Sequence, residues 1–293
     1  MTDHVTCSAS SLEAGDSLIG SAPHRRLWLL LEVDAPWGPQ ALADSDLPPA
    51  VREHIEAFLA GTPDAGVLFI RQQPARAGLR LFLAVGDASF PALYALTLER
   101  YEDLLSLDFA SLARGERPEC RDDEPLYLTC THGVRDRCCA LAGMPMYAAL
   151  RERVGDRAWR CSHVGGHRFA PTMVFLPEGL CYGRMPLEAL DDVLDRHRAG
   201  QLEPRWLRGR SAWPQPAQAA ATLLRQRDGL ATIEGLQLLD LQSDGEERWV
   251  VTFDAPGQTS QVRLHRLTGD TTYRSSCIGD KVAAPVSWEL LPS

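Results

Sequence analysis

Thiol and imidazole side chains are concentrated in one short part of this 293-residue sequence. Five of the eight cysteines and three of the eight histidines lie between Cys130 and Cys181. Thiolate sulfur and imidazole nitrogen together are typical ligands of soft and borderline metal ions. In a chain of this size that lacks a secretion signal, we expect such cysteines to serve metal or redox chemistry rather than structural disulfides.

The first segment that could do chemistry is Cys130–Cys139, with the sequence CTHGVRDRCC. Its pattern predicts that Cys130 ends a strand and that Cys138 and Cys139 lie in the first turn of a helix. A helix N-terminus lowers the pKa of a nearby thiol and favours the thiolate, which is the form that binds metal. The alternative is that each cysteine packs as a small buried apolar side chain. That alternative is weaker for the cluster than for any one cysteine.

The second segment is Cys161–Ala170, CSHVGGHRFA, in which His163 and His167 lie four residues apart. On a helix this spacing would place both rings on one face, but Gly165 and Gly166 argue against a helix. Glycines suit a tight loop whose backbone approaches another group closely. We therefore expect two loop histidines that face a bound metal, with exposed or capping histidines as the alternative.

Several residues beside these segments could adjust a metal site through hydrogen bonds to its ligands. The same residues could instead be a helix-capping aspartate, a solvated arginine and buried thiols. Cys161 could replace a ligand or pack in the core, and Arg168 could dock an acidic redox partner. The candidates are His132, Arg135, Asp136, Cys138, Cys161, Gly165, Gly166 and Arg168.

The composition excludes some classes of function. The net charge is −9 and the pI is about 5.4, which is a poor match to nucleic acid. The sequence contains no apolar run long enough for a transmembrane helix, and its N-terminus has no signal-peptide pattern. We therefore expect a soluble, cytoplasmic protein that binds neither membranes nor nucleic acid.

The hydrophobic pattern predicts an α/β protein with four parts. Residues 116–203 read as strand, helix, strand, hairpin and helix, which is the order of a thioredoxin-like unit. Residues 25–115 give a similar order, so a second thioredoxin-like domain before the first is a hypothesis. Residues 1–24 read as a loose leader, and residues 204–293 as a small α+β extension.

The two segments resemble the sucrase/ferredoxin-like family, a branch of the thioredoxin-like ferredoxins. The matching signatures are CTHGVRDRCC and the longer run Cys161–Arg184, with weaker support from LWLLLEVDAPWG and SSCIG. Fungal relatives hold a [2Fe–2S] cluster with two cysteines and two histidines. By the spacing of those ligands, the resemblance implies Cys130, Cys139, His163 and His167 here. The relatives lack a cysteine at the position of Cys138, which favours Cys139.

The resemblance implies electron transfer between donor and acceptor proteins that the sequence does not identify. Two thiolates and two neutral imidazoles leave an oxidised cluster formally neutral, whereas four thiolates make it doubly negative. The mixed site should therefore accept an electron more readily, as in Rieske centres. An imidazole that can also bind a proton predicts a pH-dependent potential.

Two alternatives to an electron carrier remain open. Two cysteines and two histidines are also a zinc set, so the segments could form a structural zinc module. A thiol–disulfide oxidoreductase could use Cys138 with Cys139, or Cys130, although no CxxC motif is present and adjacent cysteines form strained disulfides. No paired-carboxylate motif supports a sucrase, and an electron carrier fits better than a stand-alone enzyme.

Overall fold

The computed structural model describes residues 5–72, 78–86, 90–255 and 257–292. The first four residues of the predicted leader lie outside this part. The elements before residue 116 are α1 (Cys7–Glu13), β1 (Leu27–Glu32), α2 (Pro49–Gly61), β2 (Ala65–Arg71), β3 (Leu79–Val85), β4 (Ala92–Leu98) and α3 (Phe109–Ala113).

The elements that follow form the second half of the main sheet and a C-terminal unit. Those of the second half are β5 (Leu126–Cys130), α4 (Arg137–Val154), β6 (Ala158–Cys161), β7 (Thr172–Leu176), β8 (Leu180–Gly183), α5 (Leu190–Arg198) and β9 (Leu207–Arg210). Those of the C-terminal unit are α6 (Gln215–Asp228), β10 (Gln237–Ser243), β11 (Arg248–Ala255), β12 (Gln258–Thr268), β13 (Tyr273–Arg274), β14 (Val282–Ala283) and β15 (Val286–Leu291).

Within the described residues, nine strands form one sheet in the order β4-β3-β1-β2-β6-β5-β7-β8-β9. In the first half β1 is parallel to β2 and antiparallel to β3, which is antiparallel to β4. In the second half β5 is parallel to β6 and antiparallel to β7, which is antiparallel to β8. The two halves therefore share one topology, which agrees with the hypothesis of a second thioredoxin-like unit, and the predicted α/β fold is confirmed.

The two halves join edge to edge in the middle of the sheet. Strands β2 and β6 pair antiparallel, with Ile70 opposite Cys161 and Arg71 opposite Arg160. Alternate residues of the strands from both halves meet in one buried cluster, which includes Leu30, Cys130 and Trp159. Burying so much apolar surface across the junction stabilises the halves as one body, because each buried aliphatic or aromatic side chain contributes about 1.5–3 kcal/mol.

The C-terminal unit is a small α+β structure, as the sequence predicts. Strands β10, β11, β12 and β15 form a four-stranded antiparallel sheet. Helix α6 presents alanines such as Ala217 and Ala220 to this sheet, where they pack in a cluster with Phe253 and Leu264. Small side chains allow the helix to lie close to the sheet.

The segment predicted to be a loose leader contains α1, whose Cys7 and Ser11 are buried. Asp16 follows this helix and is also buried, where it accepts hydrogen bonds from the Arg168 guanidinium and the Tyr273 hydroxyl, both at 2.8 Å. This segment shows no hydrophobic periodicity because it packs through small and polar side chains. No helix in the described part of the chain is both long and apolar enough to cross a membrane.

Helix α4 runs without a break through Gly143 and Pro145, although both residue types disfavour the interior of a helix. Gly143 lies against the end of β5, and a Cβ on it would be 2.1 Å from the carbonyl oxygen of Cys130. Only glycine lets the helix pass so close to the strand. The position of Gly143 thus sets how far Cys130 lies from the start of α4.

We expect Gly143→Ala to lower the free energy of unfolding by about 3 kcal/mol, because the added methyl group forces α4 away from β5. Gly61→Ala is the control, since no atom lies within 4 Å of a Cβ at that helical position. Urea unfolding of both variants provides the measurement. Equal behaviour of the two would contradict the proposed close approach.

Candidate metal centre

Two groups of potential metal ligands lie side by side at the N-terminus of α4. The Cys130 group consists of Cys130, Cys139 and His163, and the Cys138 group of Cys7, Asp136, Cys138 and Cys277. In each group the ligand atoms lie within 4.8 Å of one another. The neighbouring residues Cys138 and Cys139 therefore belong to different groups.

The Cys130 group joins a strand, a helix and a loop. Cys130 ends β5, Cys139 lies in the first turn of α4, and both are buried. The Nδ1 atom of His163 lies 3.6 Å from Cys139 Sγ and 4.0 Å from Cys130 Sγ. A hydrogen bond from the Cys139 thiol lowers the pKa of Cys130, and His163 lowers it further, against the effect of burial. The group thus favours a thiolate, the form that binds metal.

The histidine loop turns sharply between its two imidazoles. Gly165 and Gly166 have φ angles of +96° and +73°, a region in which glycine carries no steric cost. The turn brings the rings of His163 and His167 to 5.4 Å between centroids. The predicted loop is therefore present, with a one-turn 3₁₀ helix at His167–Phe169.

A buried arginine of β9 holds the histidine loop, and sequence reasoning missed it. Arg208 is almost fully buried and donates hydrogen bonds to the Gly165 carbonyl at 3.0 Å and the Ser21 hydroxyl at 3.1 Å. A Cβ on Gly166 would lie 2.3 Å from its guanidinium. Burial lowers the pKa of Arg208 to about 10, so it stays a cation at neutral pH and compensates thiolate charge nearby.

The Cys138 group brings together three parts of the chain that are far apart in sequence. Cys138 Sγ lies 3.3 Å from both Cys7 Sγ and Cys277 Sγ. Cys7 is the first residue of α1, and Cys277 follows β13. The sequence gives no local signal for this arrangement, because neither residue stands near another cysteine.

Asp136 belongs to the Cys138 group and also faces His167. Its buried carboxylate caps α4 by accepting a hydrogen bond from the Cys138 N–H at 3.0 Å. The other oxygen accepts from the Cys277 N–H and the Ser276 hydroxyl, both at 2.9 Å. Burial opposes ionisation, but these donors and nearby His167 outweigh it and lower the pKa of Asp136 to about 2. Asp136 is thus the predicted capping residue and also a hydrogen-bond partner of ligand candidates.

His167 points one ring nitrogen at the Cys138 group. Its Nδ1 lies 3.2 Å from Asp136 Oδ2 and 3.3 Å from Cys7 Sγ. Burial lowers the pKa of His167 despite the neighbouring carboxylate, so the ring is neutral at neutral pH. A hydrogen bond from Nδ1 to a carboxylate leaves Nε2 as the metal-binding nitrogen. Of the four predicted ligands, Cys130, Cys139 and His163 converge directly. His167 lies beside His163.

The remaining candidates have structural partners. His132 is buried and its Nε2 lies 2.9 Å from the Gly38 carbonyl, which ties the loop after β1 to the site. Cys161 is buried in the shared core, and burial raises its pKa. Arg168 bonds to Asp16 within the chain. Arg135 is exposed and lines an open cavity of about 640 Å³ that also reaches His167.

Comparison with known proteins gives one family and one structure. A family model described as sucrase/ferredoxin-like matches residues 18–209. A Cys-to-Ser variant of the thioredoxin-like [2Fe–2S] ferredoxin from Aquifex aeolicus is similar to part of the chain, with 18% identity and a TM-score of 0.25. That similarity covers 29% of this chain and 97% of the ferredoxin chain. The search of curated proteins gave no match.

We expect Asp136→Ala to lower the free energy of unfolding by about 3 kcal/mol, because it removes a helix cap and leaves buried donors unpaired. Its folded pKa lies below the ordinary value, so the stabilisation is present at neutral pH and disappears as the pH falls towards about 2. Urea unfolding at several pH values measures this.

The control is Asp108→Ala, which removes an exposed cap of α3 that accepts hydrogen bonds from the Ala110 and Ser111 N–H groups. Its loss should be clearly smaller. Equal losses for Asp136 and Asp108 would show that Asp136 acts as a helix cap and nothing more.

Proposed function

This chain belongs to the sucrase/ferredoxin-like family, and we propose that it transfers electrons through a [2Fe–2S] cluster. The ligands in this proposal are Cys130, Cys139, His163 and His167. The observation that carries it is the convergence of two buried thiols and one imidazole at a helix N-terminus, with a second imidazole at 5.4 Å from the first. The redox partners would be proteins of unknown identity.

The donor set suits an iron–sulfur cluster. Iron in these clusters is bound by thiolates and, in Rieske centres, by imidazoles. The Cys130 group offers these two donor types and no carboxylate. The geometry supports Cys139 as the ligand rather than Cys138, since the Cys138 thiol faces Cys7 and Cys277. When bound, the cluster would take up and release one electron.

Residues around the ligands would compensate the charge of the site and orient its ligands. The N-terminus of α4 and the Arg208 guanidinium both favour negative charge beside Cys130 and Cys139. The hydrogen bond of the Cys139 thiol to Cys130, together with burial, raises the pKa of Cys139, so the metal would displace that proton on binding. Asp136 would keep the Nδ1 proton on His167 and so aim Nε2 at iron. The open cavity beside His167 gives water access to one edge of the site.

We expect the reduction potential to fall as the pH rises. Reduction adds negative charge beside the imidazoles and raises their affinity for protons, so proton uptake accompanies reduction. One coupled proton per electron gives a limiting slope of about 59 mV per pH unit. Voltammetry from about pH 6 to 9 measures it. A potential that stays flat over this range would argue against histidine ligands.

Serine substitution distinguishes which of the two adjacent cysteines binds iron. We expect Cys139→Ser to lose most of the iron and visible colour, whereas Cys138→Ser keeps both, because only Cys139 faces Cys130. His163→Cys and His167→Cys should keep a cluster with a shifted spectrum, since thiolate also binds iron. Iron analysis and visible absorption are the measurements.

Two outcomes would contradict the proposal. Loss of iron in Cys138→Ser with retention in Cys139→Ser would reverse the ligand choice. A colourless wild-type protein after anaerobic purification, with zinc bound by Cys130 and Cys139, would favour the structural zinc module instead.

A further inference from the structure

We propose that the Cys138 group is a second metal site, which binds zinc through Cys7, Cys138, Cys277 and Asp136. The family match spans residues 18–209, so two of these four residues, Cys7 and Cys277, lie outside it. The site is distinct from the Cys130 group, because the two share no ligand.

The first argument is convergence. The three sulfur atoms come from segments separated by 131 and 139 residues, yet Cys138 Sγ is 3.3 Å from each of the other two. Cys7 and Cys138 are buried, and Cys277 is half-buried. Free cysteines that merely fill a core have no reason to direct three thiols at one point. Structural zinc sites have this arrangement of thiolates around a closed centre.

The second argument concerns the fourth ligand. Asp136 Oδ1 lies 3.6 Å from Cys7 Sγ, and its other described bond is to the Cys138 N–H. Metal binding would remove the Cys7 thiol proton and leave a carboxylate lone pair facing the three sulfurs. Zinc is almost always four-coordinate and tetrahedral in structural sites, and it accepts carboxylate oxygen beside thiolate sulfur. Three thiolates and Asp136 complete that number.

The third argument is the supply of hydrogen-bond donors to a negatively charged centre. The Cys7 N–H donates to Cys277 Sγ at 3.4 Å. The Cys138 thiol donates to the Ser8 hydroxyl at 3.4 Å, and that hydroxyl would donate to Cys138 Sγ once zinc has displaced the thiol proton. Cys138 also lies in the first turn of α4, where the helix dipole favours negative charge. These groups stabilise thiolates, which are the form that zinc binds. A neutral thiol would not need them.

The proposed zinc would fasten both ends of the described chain to the ferredoxin-like half. Helix α1 contributes Cys7, and the β13–β14 connection contributes Cys277. Both segments lie beside the histidine loop, since α1 packs on the turn at His167–Phe169 and Ser276 lines the same cavity as His167. Zinc would therefore hold α1 and the Cys277 segment in place beside the His167 ring.

A disulfide explains the Cys138 group less well than zinc does. The group has three thiols, so a disulfide between two of them would leave the third without a partner.

The experiment expresses the protein in medium that contains both zinc and iron. Elemental mass spectrometry then measures the amount of each metal per purified chain. We expect about one zinc in the wild type. Cys7→Ser and Cys277→Ser should each lower bound zinc at least tenfold while iron and the visible spectrum stay unchanged. Cys120→Ser is the control, since Cys120 is a free cysteine outside both groups.

Retained iron shows that a variant has folded, and Cys139→Ser should show the converse loss, of iron but not of zinc. The two proposals can therefore fail separately. Cys277→His should regain zinc, because imidazole is also a zinc ligand, whereas a residue that only packs would tolerate serine better than histidine.

Three results would overturn the second site. One is a wild-type protein with no zinc and three alkylatable thiols in this group. Another is a chain whose mass is lower than that of the fully reduced chain by two hydrogen atoms, with a disulfide mapped to Cys138. The third is loss of iron rather than zinc in Cys277→Ser, which would make Cys277 a cluster ligand.

Discussion

The Asp136 carboxylate is buried where three separate segments of the chain meet, and its two oxygens set the distances between them. One oxygen holds the first turn of α4, and the other holds the Cys277 segment and faces His167. A buried carboxylate is stable only when such donors replace water. The thiols on α4, the C-terminal segment and the second histidine therefore depend on one side chain for their common position.

The two halves of the sheet differ in a way that explains why, among the described residues, the Cys130 group lies in the second half alone. The first half has the same strand order, but β1 ends at Glu32 where β5 ends at Cys130, and the buried Glu32 accepts a hydrogen bond from the Arg80 N–H. Its helix α2 begins with proline and no thiol. The first half thus serves as a scaffold, which pairs β2 with β6 and supplies the Gly38 carbonyl to His132.

The parts that sequence reasoning reached are local. Strand periodicity and the spacing within Cys130–Cys139 and His163–His167 suffice for the α/β class, the thiols on α4 and the glycine turn. Sequence reasoning could not identify Cys7, Cys277 and Arg208 as site residues, because their contacts span 43 to 270 residues and their own neighbours are polar or irregular. The role of Gly143 in α4 also depends on a distant contact, since glycine usually weakens a helix and here permits a close approach to Cys130.

Adjacent cysteines at a helix start have a geometric consequence. Successive residues of an α-helix point about 100° apart around its axis, so Cys138 and Cys139 cannot face the same centre. One turn of α4 can therefore present a thiol to each of two groups while its dipole favours thiolates in both. The same divergence disfavours a disulfide between the pair, which leaves both sulfurs available as ligands. The doubled cysteine is accordingly what lets one helix start contribute a thiol to both groups.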